Sequence, residues 1–211
     1  MTFVNVSLPF EEVFLTKREE YEKLLNDGAL MFQQVPLLEM DGMQLVQSKA
    51  ILHYIAGKCS LYAKDHKERA MIDMYSEAAS DLMILSPTLI IMYPFKPAEN
   101  TQIHLSNIEQ KATDHFLPVF EKGLANSQFL VGNQLSRADV HLLEASLMLQ
   151  ELLPTILSAF PKIQASQEKM KAFPTISKFL QPGSARKPPP DEVYVKTVMA
   201  VLSHLFKQEA Q

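Results

Sequence analysis

The strand signals of this sequence are confined to its first 60 residues, whereas every periodic segment from about residue 65 onward is helical. A strand-containing unit followed by a run of helices is typical of an α+β protein with two domains. We therefore predict a small α/β domain over residues 1–60, a linker at 61–64 and an all-helical domain over 65–211. The 3.6-residue periodicity predicts helices over residues 67–85, 101–124, 136–153, 163–172, 174–180 and 191–207.

Four local signals organise the first domain. Phe10–Leu15 has the composition of a short strand, and Thr16–Asn26 reads as a helix with Thr16 as its N-cap. Asp41-Gly42 stands between two apolar runs, which is a strong indication of a β-hairpin. Apolar residues recur at helical spacing over Ser48–Lys58, so a second helix is predicted there.

A capping signal marks the start of one helix in the second domain. Ser136 is followed three residues later by Asp139, ahead of an apolar run. A hydroxyl at the N-cap and an acid at N3 can each satisfy a free amide of the first helical turn. We interpret this pair as a stabilising device rather than as part of a reactive site.

Composition argues against several classes of function. A net charge of -4 and a pI near 5.9 make nucleic-acid binding a poor hypothesis. The single cysteine, Cys59, rules out a disulfide framework and fits a reducing, cytoplasmic location. The six histidines show no metal-ligand spacing, so no metal site is predicted. The most apolar stretch, Leu82–Phe95, is interrupted by Pro87 and is shorter than the roughly 20 residues of a membrane span.

Six segments, taken together and in order, resemble the alpha-class cytosolic glutathione transferases. The resemblance extends from about Phe10 to about Lys207, and the stretch from Pro188 to Val195 looks closest to the subtype that favours 4-hydroxyalkenals. The segments are Phe32–Pro36, Glu39–Met43, Gln47–Leu52, Ile72–Tyr75, Phe129–Asp139 and Phe179–Ser184.

The resemblance implies a fold, an activity and an assembly. The fold would be a thioredoxin-like N-terminal domain followed by a helical C-terminal domain. The activity would be conjugation of reduced glutathione to a small apolar electrophile, with glutathione as co-substrate and no further cofactor. The assembly would be a homodimer, or a heterodimer with another alpha-class subunit. Family likeness alone does not establish activity, so the site residues are considered individually.

The glutathione-binding residues implied by the resemblance are Gln34, Val35, Pro36, Gln47, Ser48 and Asp81. Val35-Pro36 matches a cis-proline corner whose backbone pairs with that of glutathione, and Gln34 matches a residue beside the glycyl end. Ser48 would donate its hydroxyl to the γ-glutamyl carboxylate at a helix N-terminus, which favours an anion. Asp81 would reach the γ-glutamyl amine of the neighbouring subunit's site.

Other positions match the second substrate and the dimer. Tyr194, Val198 and Met92 would line the electrophile pocket. The alternative is that the predicted helix over residues 191–207 only packs on the core as an amphipathic helix and lines no pocket. Phe32 matches an aromatic residue that inserts into the partner subunit. Leu25 and His115 stand where the family carries basic residues, and both departures would weaken anion binding.

No catalytic residue is assigned. The resemblance implies that the family's first strand and helix, with the tyrosine that stabilises the thiolate, are replaced here by residues 1–9, which contain neither Tyr nor Arg. The first domain is therefore expected to be incomplete and to lack its first βα unit. Three hypotheses stay open: a working transferase, a non-catalytic member that binds apolar ligands or forms heterodimers, and an alternative start of a gene whose main product is active.

Overall fold

The computed structural model describes residues 8–85, 98–184, 186 and 191–206. Within these residues it contains one two-stranded sheet and a succession of helices, which agrees with the predicted α+β class. The strands are β1 (Leu37–Met40) and β2 (Met43–Val46); the helices are α1 (Arg18–Asn26), α2 (Ser48–Lys58), α3 (His66–Ile84), α4 (Ala98–Lys111), α5 (Leu117–Gly123), α6 (Arg137–Leu152), α7 (Pro161–Lys171), α8 (Pro174–Leu180), α9 (Glu192–Val201) and α10 (Ser203–Phe206).

The predicted hairpin is confirmed. Strands β1 and β2 pair antiparallel with Met40 opposite Met43, so that Asp41 and Gly42 form a two-residue loop. Asp41 has φ 52° and Gly42 has φ 76°. Positive φ at both central residues defines the turn type whose twist matches that of paired strands, and Asp-Gly tolerates it well.

Two predictions for the chain before this hairpin are wrong. Phe10–Leu15 forms no strand, because a strand needs a neighbour to pair with and the described residues supply only the β1–β2 pair. Helix α1 is capped one residue later than predicted, at Lys17 instead of Thr16. Glu20 explains the shift, since its carboxylate accepts from the backbone N–H of Thr16 at 2.7 Å and of Lys17 at 3.1 Å.

The chain divides into two compact units that do not follow chain order. One comprises Pro9–Ile55 together with the C-terminal segment Pro190–Gln211, and the other includes Ala56–Pro189. The domain limits at 1–60 and 65–211, which refer to sequence pattern and not to compactness, stay a prediction.

The smaller unit has its own apolar core. Its buried members come from α1, the loop after it, β2 and α9, so helix α9 contributes directly to this core. The buried residues are Tyr21, Leu30, Val46 and Val201, and the partly buried ones packed against them are Leu15, Leu24, Leu25, Leu37 and Leu202.

The larger unit is centred on helices α3 and α6. Ala79 on α3 and Ala138 and Ala145 on α6 are fully buried, and small side chains at these positions let two helices approach closely. Helices α4 and α5 are joined without a break by a π-helical turn, Ala112–Phe116, within the predicted helix over 101–124. The predicted single helix over 191–207 is interrupted at Leu202, where α9 ends and α10 follows.

The capping device at the start of α6 is confirmed. The Asp139 carboxylate accepts from the backbone N–H of Ser136 at 2.9 Å and from its hydroxyl at 2.8 Å. It also accepts from the N–H of Leu130 at 2.8 Å, which fixes the preceding loop. Burial nevertheless raises the pKa of Asp139 above its ordinary value, with these hydrogen bonds opposing the shift.

Candidate functional site

A tightly bent loop forms the first side of the candidate site. The Val35–Pro36 peptide bond is cis, as the resemblance implies. Two residues earlier, Gln33 has φ 55° and donates its backbone N–H to the carbonyl of Leu30 at 2.9 Å. The Gln33 carbonyl accepts from the hydroxyl of buried Tyr21 at 2.7 Å. Both polar groups of the Gln33 backbone are thus engaged immediately before the cis corner.

The N-terminus of helix α2 forms the second side. Ser48 is its first residue, and the carbonyl of Gln47 accepts the first helical hydrogen bond from Ile51 at 3.0 Å. Gln47 itself has φ 72°, a left-handed conformation that costs free energy for a residue other than glycine. The first turn of α2, all of which is described, carries no acidic side chain. Its exposed amides therefore present partial positive charge to solvent, which suits a carboxylate ligand.

A side-chain contact joins the two sides. The Gln47 amide nitrogen donates to the Gln34 side-chain oxygen at 3.2 Å. Gln34, Val35, Gln47 and Ser48 are all exposed. The result is a solvent-facing corner that carries the Ser48 side chain, two amide side chains and a helix N-terminus. Such groups can form hydrogen bonds with a polar ligand, and the helix N-terminus favours an anionic group on it.

Three of the remaining predicted site residues lie on helices α3 and α9. Asp81 is exposed on α3, in the larger unit. Tyr194 is 49% exposed and Val198 is partly buried; they are one helical turn apart on α9 and so share a face. Met92 lies outside the described residues. Phe32 is 58% exposed in the loop before the cis corner, beside exposed Met31.

The two departures from the family's basic positions have structural environments of their own. Leu25 is partly buried and packs against the apolar core of the smaller unit. Its side chain therefore adds apolar contacts at a position where the family carries a charged arginine. His115 is exposed in the π-helical turn, and its ring lies edge-on to Phe116 with the ring centroids 4.9 Å apart.

Sequence reasoning missed a cluster behind the cis corner. Arg18 and Tyr21 on α1 meet His204 on α10: the guanidinium contacts Nδ1 of His204 at 2.7 Å, and the Tyr21 and His204 rings stack with centroids 5.3 Å apart. The one available signal was Tyr21 itself, a hydroxyl-bearing residue on the apolar face of a helix. Its partner is 183 positions away in sequence, which no local pattern reveals.

Metal and thiol chemistry receive no support from the described residues. They contain no group of three His, Cys, Asp or Glu side chains placed to hold a metal ion. Burial raises the pKa of the Cys59 thiol, which keeps that group protonated and poorly nucleophilic. None of the helices in the described part of the chain combines the length and apolar character needed to cross a bilayer.

Comparison with known proteins identifies the family. The family model described as "Glutathione S-transferase, N-terminal domain" matches residues 4–57, and the one described as "Glutathione S-transferase, C-terminal domain" matches residues 86–183. The chain therefore belongs to the glutathione S-transferase family, whose thioredoxin-like and helical domains account for the hairpin and the helices described above. Members use glutathione as co-substrate and need no further cofactor.

Comparison with individual relatives assigns the chain to the alpha class of this family. The chain is 53% identical to "Glutathione S-transferase 3" of Gallus gallus over 92% of this chain and 83% of that protein. It is 51% identical to "Glutathione S-transferase A4" of Homo sapiens over 90% of this chain and 84% of that protein. Among solved structures, the monomeric glutathione S-transferase Na-GST-3 of Necator americanus matches with a TM-score of 0.76 and 26% identity, covering 89% of this chain and 91% of that one.

Proposed function

We propose that this chain binds glutathione at the corner formed by the cis-proline loop and the N-terminus of α2, and that it serves the conjugation of glutathione to apolar electrophiles. The observation that carries this proposal is the joining of the two sides through Gln34 and Gln47 at 3.2 Å. In the proposed complex, the backbone N–H and C=O of Val35 pair with the peptide backbone of glutathione. Ser48 and the α2 amides receive the γ-glutamyl carboxylate.

The proposed electrophile is an α,β-unsaturated aldehyde of the 4-hydroxyalkenal type. Tyr194 and Val198 present a hydroxyl and an apolar surface on one face of α9, and Met92 completes the set suggested by the resemblance. In the reaction, the glutathione thiol loses its proton to water and the sulfur bonds to the β-carbon of the enal. The C=C π pair shifts to give an enolate with its charge on the carbonyl oxygen, and the α-carbon then takes a proton from water, so that no net proton is consumed. Tyr194 is the group we propose to polarise that oxygen.

We propose that catalysis by this chain is weak in comparison with its relatives. A thiol with a pKa of about 8.5 is mostly protonated at neutral pH, so a transferase needs a donor directed at the sulfur. Residues 1–9, which stand where the resemblance places the family's first strand and helix, contain neither a tyrosine nor an arginine. The same observation favours a second candidate function, in which the chain binds glutathione or apolar ligands without turnover.

The test compares binding with turnover. Calorimetry is expected to detect glutathione binding, and Ser48→Ala is expected to weaken it by about 10- to 100-fold, because hydrogen bonds to charged groups contribute roughly 1.5–3 kcal/mol. Ser106→Ala, at an exposed serine on α4, is the matched control and is expected to leave affinity unchanged. Equal affinities for the wild type and Ser48→Ala would refute the site.

Turnover with 4-hydroxynonenal separates the two candidate functions. We expect a conjugation rate only slightly above the uncatalysed background from folded protein that binds glutathione. A rate equal to background would favour the non-catalytic candidate. A rate typical of an efficient enzyme, roughly 10 turnovers per second, would contradict the proposal of weak catalysis.

We further propose a cytoplasmic dimer, with Phe32 as the anchor in a second alpha-class subunit, of this chain or a relative. A phenylalanine 58% exposed beside Met31 is the kind of aromatic residue that fills a partner pocket. Phe32→Ala is expected to weaken the dimer by about 2 kcal/mol, or roughly 30-fold, in sedimentation equilibrium. Val119→Ala, at another exposed apolar residue, is the control.

Asp81 is proposed to reach the glutathione of the partner's site. A monomeric wild type would overturn this assembly.

A further inference from the structure

A chain of hydrogen bonds connects the C-terminal helix α10 with the loop that carries the cis corner. Arg18 on α1 donates from Nη1 to Nδ1 of His204 at 2.7 Å and to the carbonyl of Val201 at 2.9 Å. His204 Nε2 lies 3.4 Å from the Tyr21 hydroxyl. The Tyr21 hydroxyl donates to the Gln33 carbonyl at 2.7 Å. All five residues belong to the smaller compact unit.

The direction of each hydrogen bond follows from the donors available. A guanidinium only donates, so Nδ1 of His204 must accept, which puts the ring proton of neutral His204 on Nε2. The Nε2–H group then donates to the Tyr21 oxygen, and the Tyr21 hydroxyl donates to the Gln33 carbonyl. Each bond therefore polarises the next in the same sense, which strengthens hydrogen bonds arranged in series.

The burial and packing of these groups make the arrangement stiff. Tyr21 is 1% exposed, its ring stacks on His204, and the Arg18 guanidinium lies over the same ring at 4.9 Å from its centroid. Gln33 has both backbone groups engaged and a left-handed φ of 55°, a conformation that must be maintained by its surroundings. The next residues are Gln34 and Val35, which the proposed glutathione site uses directly.

We propose that Arg18, His204 and Tyr21 are positioning residues that set the geometry of the glutathione loop, so that docking of α10 is transmitted to the ligand site. This proposal rests on the proposed glutathione site. None of the three residues contacts glutathione in that proposal; they act through the orientation of the Gln33 carbonyl. Loss of any bond in the series should loosen the loop and weaken glutathione binding.

The test is a double-mutant cycle read out by the glutathione dissociation constant. Tyr21→Phe removes one hydroxyl and keeps the buried ring, and His204→Phe keeps the stacking while removing both ring nitrogens. Each variant is expected to bind glutathione about fivefold more weakly. The double variant is expected to match Tyr21→Phe, at about fivefold, since His204 acts only through the Tyr21 hydroxyl. Lys196→Gln, at a 79% exposed residue of α9, is the control.

A second readout needs no ligand and reports the loop directly. The Gln33 N–H donates to the Leu30 carbonyl, so its hydrogen exchange is expected to accelerate in Tyr21→Phe and in His204→Phe, while exchange in α3 of the other unit stays at the wild-type rate. Acceleration throughout the chain would indicate general destabilisation and would count against a positioning role.

The outcomes separate this inference from the proposed function. If the wild type binds glutathione and the two effects combine non-additively, the positioning series is supported. If the wild type binds and either variant is unchanged, or the two effects multiply to about 25-fold, the series is refuted while the glutathione site stands. If the wild type does not bind glutathione at all, the proposed function fails and this inference fails with it.

Discussion

Buried His141 makes the stability of the larger unit depend on pH. It lies on α6, is 8% exposed, and its Nδ1 is 3.3 Å from the carbonyl of Ser76 on α3. Burial is the main cause that lowers the pKa of His141 from 6.5 to about 4, with nearby Arg137 lowering it further and the Ser76 carbonyl opposing the shift. The native protein therefore keeps this imidazole neutral where an unfolded chain would protonate it.

The sign and size of the effect follow from linkage. Between a pH of 6.5 and about 4, the unfolded state binds a proton at His141 that the native state does not, so acidification favours unfolding. The stabilising contribution of neutral His141 is fully present above pH 6.5 and is lost by about pH 4. Since one pKa unit corresponds to about 1.4 kcal/mol, that contribution reaches about 3 kcal/mol. It is a large part of the roughly 5–15 kcal/mol that stabilises a typical domain.

The assay is urea unfolding of the wild type and of His141→Leu at about pH 7.5 and about pH 4.5. Leucine fills a similar volume and cannot be protonated, so the wild type should lose about 2–3 kcal/mol relative to the variant on acidification. The raised pKa of Asp139 contributes with the opposite sign, but it does so in both proteins and cancels in the difference. Exposed His66→Gln is the control and should follow the wild type. Parallel pH dependences of the wild type and His141→Leu would show that His141 does not cause the loss of stability in acid.

Two further predictions concern packing and charge in the folded chain. Gly123→Ala should destabilise the protein by about 1–3 kcal/mol, because the new Cβ would lie 2.7 Å from the Tyr75 hydroxyl. Gly57→Ala on α2 should instead stabilise it by about 0.5–1 kcal/mol, because the new Cβ meets no atom within 4 Å and alanine favours a helix more than glycine does. Equal effects of the two substitutions in chemical denaturation would contradict this. Asp73→Ala should lower the free energy of unfolding by about 3 kcal/mol, because it removes the carboxylate that pairs with Arg137 at 2.7 Å and leaves a guanidinium that is 1% exposed without this partner. A loss below about 1 kcal/mol would show that the pair contributes little to stability.

Local chemistry made much of the fold predictable. The Asp41-Gly42 hairpin, the helix over Ser48–Lys58 and the Ser136/Asp139 cap each depend on residues a few positions apart, and the structure confirms all three. The strand proposed at Phe10–Leu15 failed for the opposite reason. Its composition suits a strand, but pairing depends on a neighbour that local sequence cannot supply.

The candidate site was predictable only in part. The cis bond before Pro36 is confirmed, and the resemblance was needed to foresee it. The contact between Gln34 and Gln47 joins residues 13 positions apart across the hairpin, and the Tyr21–His204 contact spans nearly the whole chain. Such contacts are set by tertiary packing, which is why the group that supports the loop was missed. The predicted roles of Asp81, Tyr194, Val198, Met92 and Phe32 stay predictions.

Glutathione is proposed to bind at the corner between the cis loop and the start of α2. The most direct test of this site is a titration of isotope-labelled protein with reduced glutathione, followed through the backbone amide resonances. We expect the largest saturable shifts at Val35, Gln47 and Ser48, with smaller shifts at Gln33. No saturable shift at these amides, or shifts concentrated on the groove of about 830 Å³ that Lys162 and Lys169 help to line, would contradict the proposed site.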